Sequence, residues 1–77
     1  MVLSGQNIPS VSVGDKIRVK TTDNRIKGTI TKITREQSSK IYCLRSPTGK
    51  PYTVYSDITQ VYVSEVSSTV TEIIKIN

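Results

Sequence analysis

A period-two alternation that slips phase once does more than any other feature to limit what this chain can fold into. From Asp15 to Thr22, Ile17 and Val19 point to one side, while Lys16, Arg18 and Lys20 point to the other. Apolar and charged residues at this spacing describe a strand with one buried and one wet face. From Arg25 to Glu36 the pattern resumes, with Ile26, Gly28 and Ile30 on one face and Lys27, Thr29 and Thr31 opposite. Ile33 then follows Ile30 by three positions instead of two. A β-bulge near Thr31 and Lys32 would restore the inward face and bend the strand. Gly28 lacks a Cβ, which lets another backbone approach or lets the strand coil sharply. Long strands bent in this way curl a small sheet into a barrel.

The rest of the chain reads as short strands joined by tight links. Residues 1–14, with Gly5, Pro9 and Gly14, read as a short N-terminal arm or helical turn, leading into a barrel over residues 15–66. Thr22-Asp23-Asn24-Arg25 is a tight turn, because Asp and Asn tolerate the backbone it needs. Glu36 to Ser39 is a polar loop, and Lys40 to Arg45 is the third strand. Ser46 to Pro51 is dense in turn residues and reads as a hairpin connection. Tyr52 to Tyr55 is a short fourth strand, broken by Ser56-Asp57, and Ile58 to Val66 is the fifth. The tail, residues 67–77, reads as an extra strand, the first turns of a helix, or the start of a linker into a longer protein that continues beyond Asn77. The expected fold is all-β: a small, five-stranded, strongly bent antiparallel barrel. Its expected core is Ile17, Val19, Ile26, Ile30, Ile33, Leu44, Val54, Ile58, Val61 and Val63.

A chain of 77 residues has room for one thin-cored domain. Its hydrophobic share is 35%, and ten Ser and ten Thr make up the difference. Thr suits a strand with one wet face, so this composition still permits a sheet. The single cysteine, Cys43, excludes an internal disulfide, and with no His a Cys/His metal site within one chain is excluded too. This usage fits a reducing compartment, cytoplasm or nucleus. No apolar run approaches the roughly 20 residues that cross a bilayer, so no membrane association is expected.

Catalysis has little to work with. There is no His, and the six acids are scattered through turns and strand edges. Cys43 lacks a base and sits among Ile41, Tyr42 and Leu44, which describes a packed, inert thiol. The chain is expected to be no enzyme and to need no cofactor. Charge, by contrast, is uneven. Residues 1–50 carry ten Lys and Arg against three acids, a balance of +7; residues 51–77 carry Lys75 against Asp57, Glu65 and Glu72, a balance of −2. Lys16, Arg18 and Lys20 form a cationic strip, extended by Arg25, Lys27, Lys32 and Arg35 on the next strand and by Lys40. Such a strip contacts phosphates without reading sequence; the plainer account is a well-solvated surface. Tyr42, Tyr52, Tyr55 and Tyr62 are the only aromatics, and they serve either as core or as stacking platforms for bases.

Two stretches carry a resemblance to a known family. One is Ser12-Val13-Gly14-Asp15-Lys16-Ile17-Arg18-Val19 followed by Ile26-Lys27-Gly28-Thr29-Ile30. The other is Ser46-Pro47-Thr48-Gly49-Lys50-Pro51 followed by Gln60-Val61-Tyr62-Val63-Ser64-Glu65-Val66. Together they resemble the Sm-like (Lsm) family over about residues 12–74, and within it the twelfth Lsm group, whose members join an N-terminal Lsm domain to a C-terminal anticodon-binding-like domain. The resemblance implies an Sm/SH3-like barrel, a role in messenger RNA regulation beside ataxin-2-type proteins, and, as an alternative, recognition of RNA or of an adenine-dinucleotide messenger. Ring-forming Sm proteins hold uridine with an Asp-x-Met-Asn loop and an Arg-Gly pair. Here the matching loop, Thr34 to Lys40, lacks Met and Asn, and the Arg-Gly position falls near Ser56-Asp57. No selective uridine pocket is therefore expected.

The leading expectation is a protein-interaction module of an RNA-regulatory complex, docking through an exposed strand edge onto an ataxin-2-type partner or onto itself. The fifth strand carries no Lys and no Pro to guard its edge. Tyr55, Ile58, Gln60, Tyr62 and Ser64 are the candidate partner edge. The competing expectation is that the tail folds back and covers this edge itself.

Overall fold

The structure, a computed structural model, describes residues 8–76. Among these, six strands follow one another: β1 (Lys16–Thr21), β2 (Arg25–Arg35), β3 (Lys40–Arg45), β4 (Pro51–Ser56), β5 (Val61–Val63) and β6 (Ser68–Lys75). Each pairs antiparallel with its neighbour in the chain, and β6 also pairs with β1, so the sheet closes into a barrel. The small antiparallel barrel is as expected, but the expected count of five strands is one short. The sixth is β6, the extra strand that was one of the readings of the tail, and it covers the β5 edge as the competing expectation had it.

Two bulges shape the barrel, and both are organised by threonine. On β2, Ile30 pairs with Leu44 and Lys32 with Cys43, leaving Thr31 between them. On β6, Val70 pairs with Thr21 and Glu72 with Lys20, leaving Thr71 between them. In each case the threonine hydroxyl donates to a carbonyl of the facing strand, Thr31 to Cys43 and Thr71 to Lys20, both at 3.2 Å. The extra residue bends its strand and increases the local twist. Near the first bend, a Cβ on Gly28 would lie 3.1 Å from the Arg45 carbonyl oxygen and 3.3 Å from Leu44 Cβ. The close approach of β3 there depends on the missing side chain.

Ile17, Val19, Ile26, Ile30, Leu44, Val54, Val61 and Val63 are buried as expected, and Tyr42, Val70 and Ile73 join them. Each such side chain contributes roughly 1.5–3 kcal/mol on burial. Ile33 is half-buried and packs on this cluster. Ile58 departs from expectation at 59% exposed. The reason is the turn before β5: the Asp57 carboxylate accepts from the Thr59 amide, the Thr59 hydroxyl and the Gln60 amide, which holds Ile58 on the outside of a tight loop. β5 accordingly starts at Val61 and is shorter than the expected Ile58 to Val66. Residues 1–7 of the expected arm lie outside the described residues. Residues 8–14 contain no helical turn; Ile8 and Val11 instead pack over one end of the barrel, against Ile17, Tyr42, Val54 and Ile73.

The links use local hydrogen bonds. Thr21 organises the β1–β2 turn: its hydroxyl accepts from the Asn24 amide at 2.8 Å, and its own amide donates to the Asn24 carbonyl at 2.8 Å. In the β3–β4 hairpin the Gly49 amide reaches the Ser46 carbonyl at 2.8 Å, with Gly49 at φ 89°, a left-handed conformation that glycine adopts without steric cost.

Candidate functional site

Apart from Thr21 and Gly28, the buried residues of β1 and β2 are aliphatic, and the outward residues form a surface fixed by register. Lys20 lies opposite Arg25, Arg18 opposite Lys27, and Lys16 opposite Thr29. Thr29 in turn faces Arg45 on β3. All six cations are exposed. Directly opposed side chains on neighbouring strands sit about 4.5–5.5 Å apart at Cβ, and like charges so placed are destabilising. Among the described residues the one ion pair is Lys75 to Asp15, at 3.5 Å; Arg18, Lys20, Arg25, Lys27 and Arg45 make none. Glu72 lies opposite Lys20 across the β1–β6 pair without forming one. Arg18, Lys20, Arg25, Lys27 and Arg45 thus form a patch of one sign that no ion pair among the described residues neutralises.

Next to this patch a shallow groove of about 620 Å³ runs over Gly28, lined by Lys16, Lys27, Thr29, Thr31, Arg45 and Ser46, among others. Cations and hydroxyls share it, and both donate to phosphate oxygens. Arg45 was not among the residues expected here. Its local sequence places it only at the end of a strand, and its membership follows from its pairing with Thr29.

The other expected cations separate from the patch. Lys32 follows the bulge and lies opposite Cys43. Arg35 and Lys40 face each other at the far end of the β2–β3 hairpin. There, with Ser39, Ser56 and Asp57, they line a second cleft of about 280 Å³ between the β2–β3 and β4–β5 loops. Hydrogen bonds from the Gln60 amide, then from the hydroxyl and amide of Thr59, hold the Asp57 carboxyl below its ordinary range. That carboxylate is committed to its turn and adds negative charge to the cleft.

The tyrosines divide in the same way. Tyr42 is core, and burial pushes its phenol above the ordinary value, with the Arg35 charge acting in the opposite direction. Tyr52 is half-buried, with the Lys50 ammonium 5.3 Å from its ring centre. Tyr55 and Tyr62 pair across β4 and β5 on the outside of the barrel. Their rings stack, with centroids 5.2 Å apart and planes 14° off parallel. On its other side Tyr62 faces Thr69 of β6. A groove of about 480 Å³ lies there, lined by Gln60, Tyr62, Ser64, Ser67, Ser68 and Thr69.

The candidate partner edge needs correction. β5 is flanked by β4 on one side and by β6 on the other, so its backbone is not a free template. Ser68 and Thr69 of β6 cover that edge, while Val70 and Ile73 continue along β1 with buried side chains. Tyr55, Ile58, Gln60, Tyr62 and Ser64 keep exposed or half-exposed side chains, but they offer no unpaired strand edge. The following turn is held by Glu65, whose carboxylate accepts from the Thr53 amide at 2.7 Å. Burial pushes the Glu65 carboxyl up, but hydrogen bonds, led by that from Thr53, outweigh it and leave it below its ordinary value.

The fold and this surface together define a small closed antiparallel barrel with a one-signed cationic sheet face. No protein-family model matches the chain, no curated protein matches it, and no solved structure matches it.

Proposed function

We propose that this chain is a non-catalytic, Sm-like binding module of an RNA-regulatory assembly, and that the outer face of β1 and β2 receives the phosphate backbone of RNA. The observation that carries this reading is the register, with Lys20 opposite Arg25 and Arg18 opposite Lys27 and no salt bridge on any of the four. The arrangement works against folding. A bound polyanion relieves it and releases its own counterions in the process. The resemblance in Ser12 to Val19 and Ile26 to Ile30 adds the Sm-like assignment and the RNA-regulatory setting, ataxin-2-type partners included.

Docking through a strand edge loses its support, because β6 occupies that edge. A protein partner would instead meet side chains, chiefly Tyr55, Tyr62 and Ile58. An adenine-dinucleotide messenger shares the phosphate chemistry and remains the small-ligand alternative for the same face.

The test is a titration of a short labelled single-stranded RNA at several salt concentrations. The logarithm of the affinity should fall linearly with the logarithm of salt, with a slope of about −0.7 for each phosphate contacted. Arg18→Glu should weaken binding to every sequence, oligo-uridine included, and flatten the slope. Affinity indifferent to salt contradicts the reading. A slope corresponding to only two or three phosphates, together with displacement of the RNA by a dinucleotide, would move the assignment to the small ligand.

A further inference from the structure

We propose that the groove beside Tyr62 is a nucleobase subsite, in which a base of a single-stranded nucleic acid stacks on the open face of the Tyr62 ring. The inference rests on the phosphate-binding reading above and adds a second contact of different chemistry.

The Tyr62 ring is already braced. Tyr55 covers one face at 5.2 Å, almost parallel. The opposite face looks along the outer surface toward Thr69 and into the groove of about 480 Å³. Tyr62 is 38% exposed, so that face is reachable. A ring held in place by a stacked neighbour loses little freedom when a second flat group lands on it. Base–aromatic stacking of this kind is the usual sequence-tolerant contact in single-strand binders.

The surroundings fit a flat heterocycle with polar edges. Gln60 brings an amide that both donates and accepts, and Ser67 and Thr69 bring hydroxyls. None of these three side chains has a hydrogen-bond partner among the described residues; the turn uses only the backbone amide and carbonyl of Gln60. The groove carries no charged side chain, which separates it from the phosphate face. A long apolar peptide side chain would leave these donors and acceptors unsatisfied.

The two surfaces are joined. The Thr22 amide donates to the Thr69 carbonyl at 3.1 Å, and the Ser68 hydroxyl donates to Asp23 at 3.2 Å. The β1–β2 turn therefore abuts the groove. From the outer row of β1 to Tyr62 is two strand spacings, roughly 10 Å. One chain of nucleotides can lay phosphates beside Lys20 and Arg25 and turn a base over Thr69 onto Tyr62. Glu72, on the outside of β6, turns the path toward the Thr69 end. A base inside a duplex has both faces stacked and cannot make this contact, so the site selects single strands.

The test compares a short labelled single-stranded RNA with the matching duplex, using the parent chain, Tyr62→Leu, Gln60→Ala and Arg18→Glu, with a thermal melt on each. Tyr62→Leu should weaken single-strand binding roughly fivefold to a hundredfold while leaving the salt slope and the duplex affinity as they were. Gln60→Ala, on an exposed side chain with no partner, should keep the parent melting temperature and narrow any preference among bases. Arg18→Glu should weaken both nucleic acids. If Tyr62→Leu binds the single strand like the parent with the steep slope intact, the base subsite is overturned and the phosphate face stands. If the parent shows no salt-dependent binding, the phosphate face falls and the subsite falls with it. If Tyr62→Leu instead abolishes self-association seen by light scattering and leaves RNA affinity unchanged, the tyrosine pair is a protein contact and the subsite is overturned.

Discussion

The β1–β2 hairpin and the β4–β5–β6 meander bury the same kind of residue and expose opposite kinds. Inside, Ile17, Val19, Ile26 and Ile30 of the hairpin meet Val54, Val61, Val63 and Val70 of the meander. Outside, the hairpin shows Lys16, Arg18, Lys20, Arg25 and Lys27, while the meander shows Tyr55, Tyr62, Thr69 and Glu72. Their links differ as well. The hairpin turns on the Thr21 hydroxyl, whereas the meander turns on the carboxylates of Asp57 and Glu65. The shared interior makes one barrel of the two regions. The unlike exteriors give one region a face of like charges and the other a turn structure that acid weakens.

The largest effect should come from breaking what both regions share. Ile30 is buried at the bend of β2, and Ile30→Ala should cost roughly 2–5 kcal/mol, enough to unfold a domain of this size. Urea denaturation measures it, and a parent-like midpoint would mean that the two regions do not rest on one core. A smaller effect separates the meander. Ser67 sits at φ 49° in the turn between β5 and β6. Replacing it with Gly removes a left-handed penalty of roughly 1 kcal/mol, so the melting temperature should rise. A fall would show that the Ser67 side chain stabilises that turn by more than its backbone costs it.

Acid should then distinguish the regions. Asp57 and Glu65 both lie below their ordinary values in the folded chain. Groups depressed in this way favour the fold above the ordinary carboxylate range and lose that contribution as pH falls through and below about 4. Both are largely exposed, so the loss is modest. Amide exchange near pH 3 should open Asp57 to Ser67 before it opens β1 and β2. Simultaneous opening would contradict the division.

What the sequence made legible follows the same line. β1 and β2 could be read because a charged outer face makes alternation plain, and the Ile30 to Ile33 spacing marks the bulge at Thr31. β6 stayed open between strand, helix and linker, because its own bulge at Thr71 puts Val70 and Ile73 three apart, and the adjacent Ile74 hides the phase. The free edge on β5 gives way to the competing expectation, in which the tail folds back and covers it. Ile58 was misplaced because the Asp57 side chain, and not hydrophobic period, decides where that turn runs. In the candidate site, Lys16 to Lys27 were legible from alternation alone. Arg45 and the Tyr55–Tyr62 stack were not, since each depends on which residue lies across the neighbouring strand.

The central claim is that the cations of β1 and β2 are kept for binding at some expense to the fold. Lys27→Glu tests both halves of it in one protein, because it places an acid directly opposite Arg18. Urea denaturation and single-strand RNA titration of that variant, side by side with the parent, are the measurement. The account predicts a fold as stable as the parent or more stable, by roughly 0.2–1 kcal/mol, together with a marked loss of RNA affinity and a shallower salt slope. Unchanged affinity, or a loss of affinity explained by a loss of stability, would contradict it.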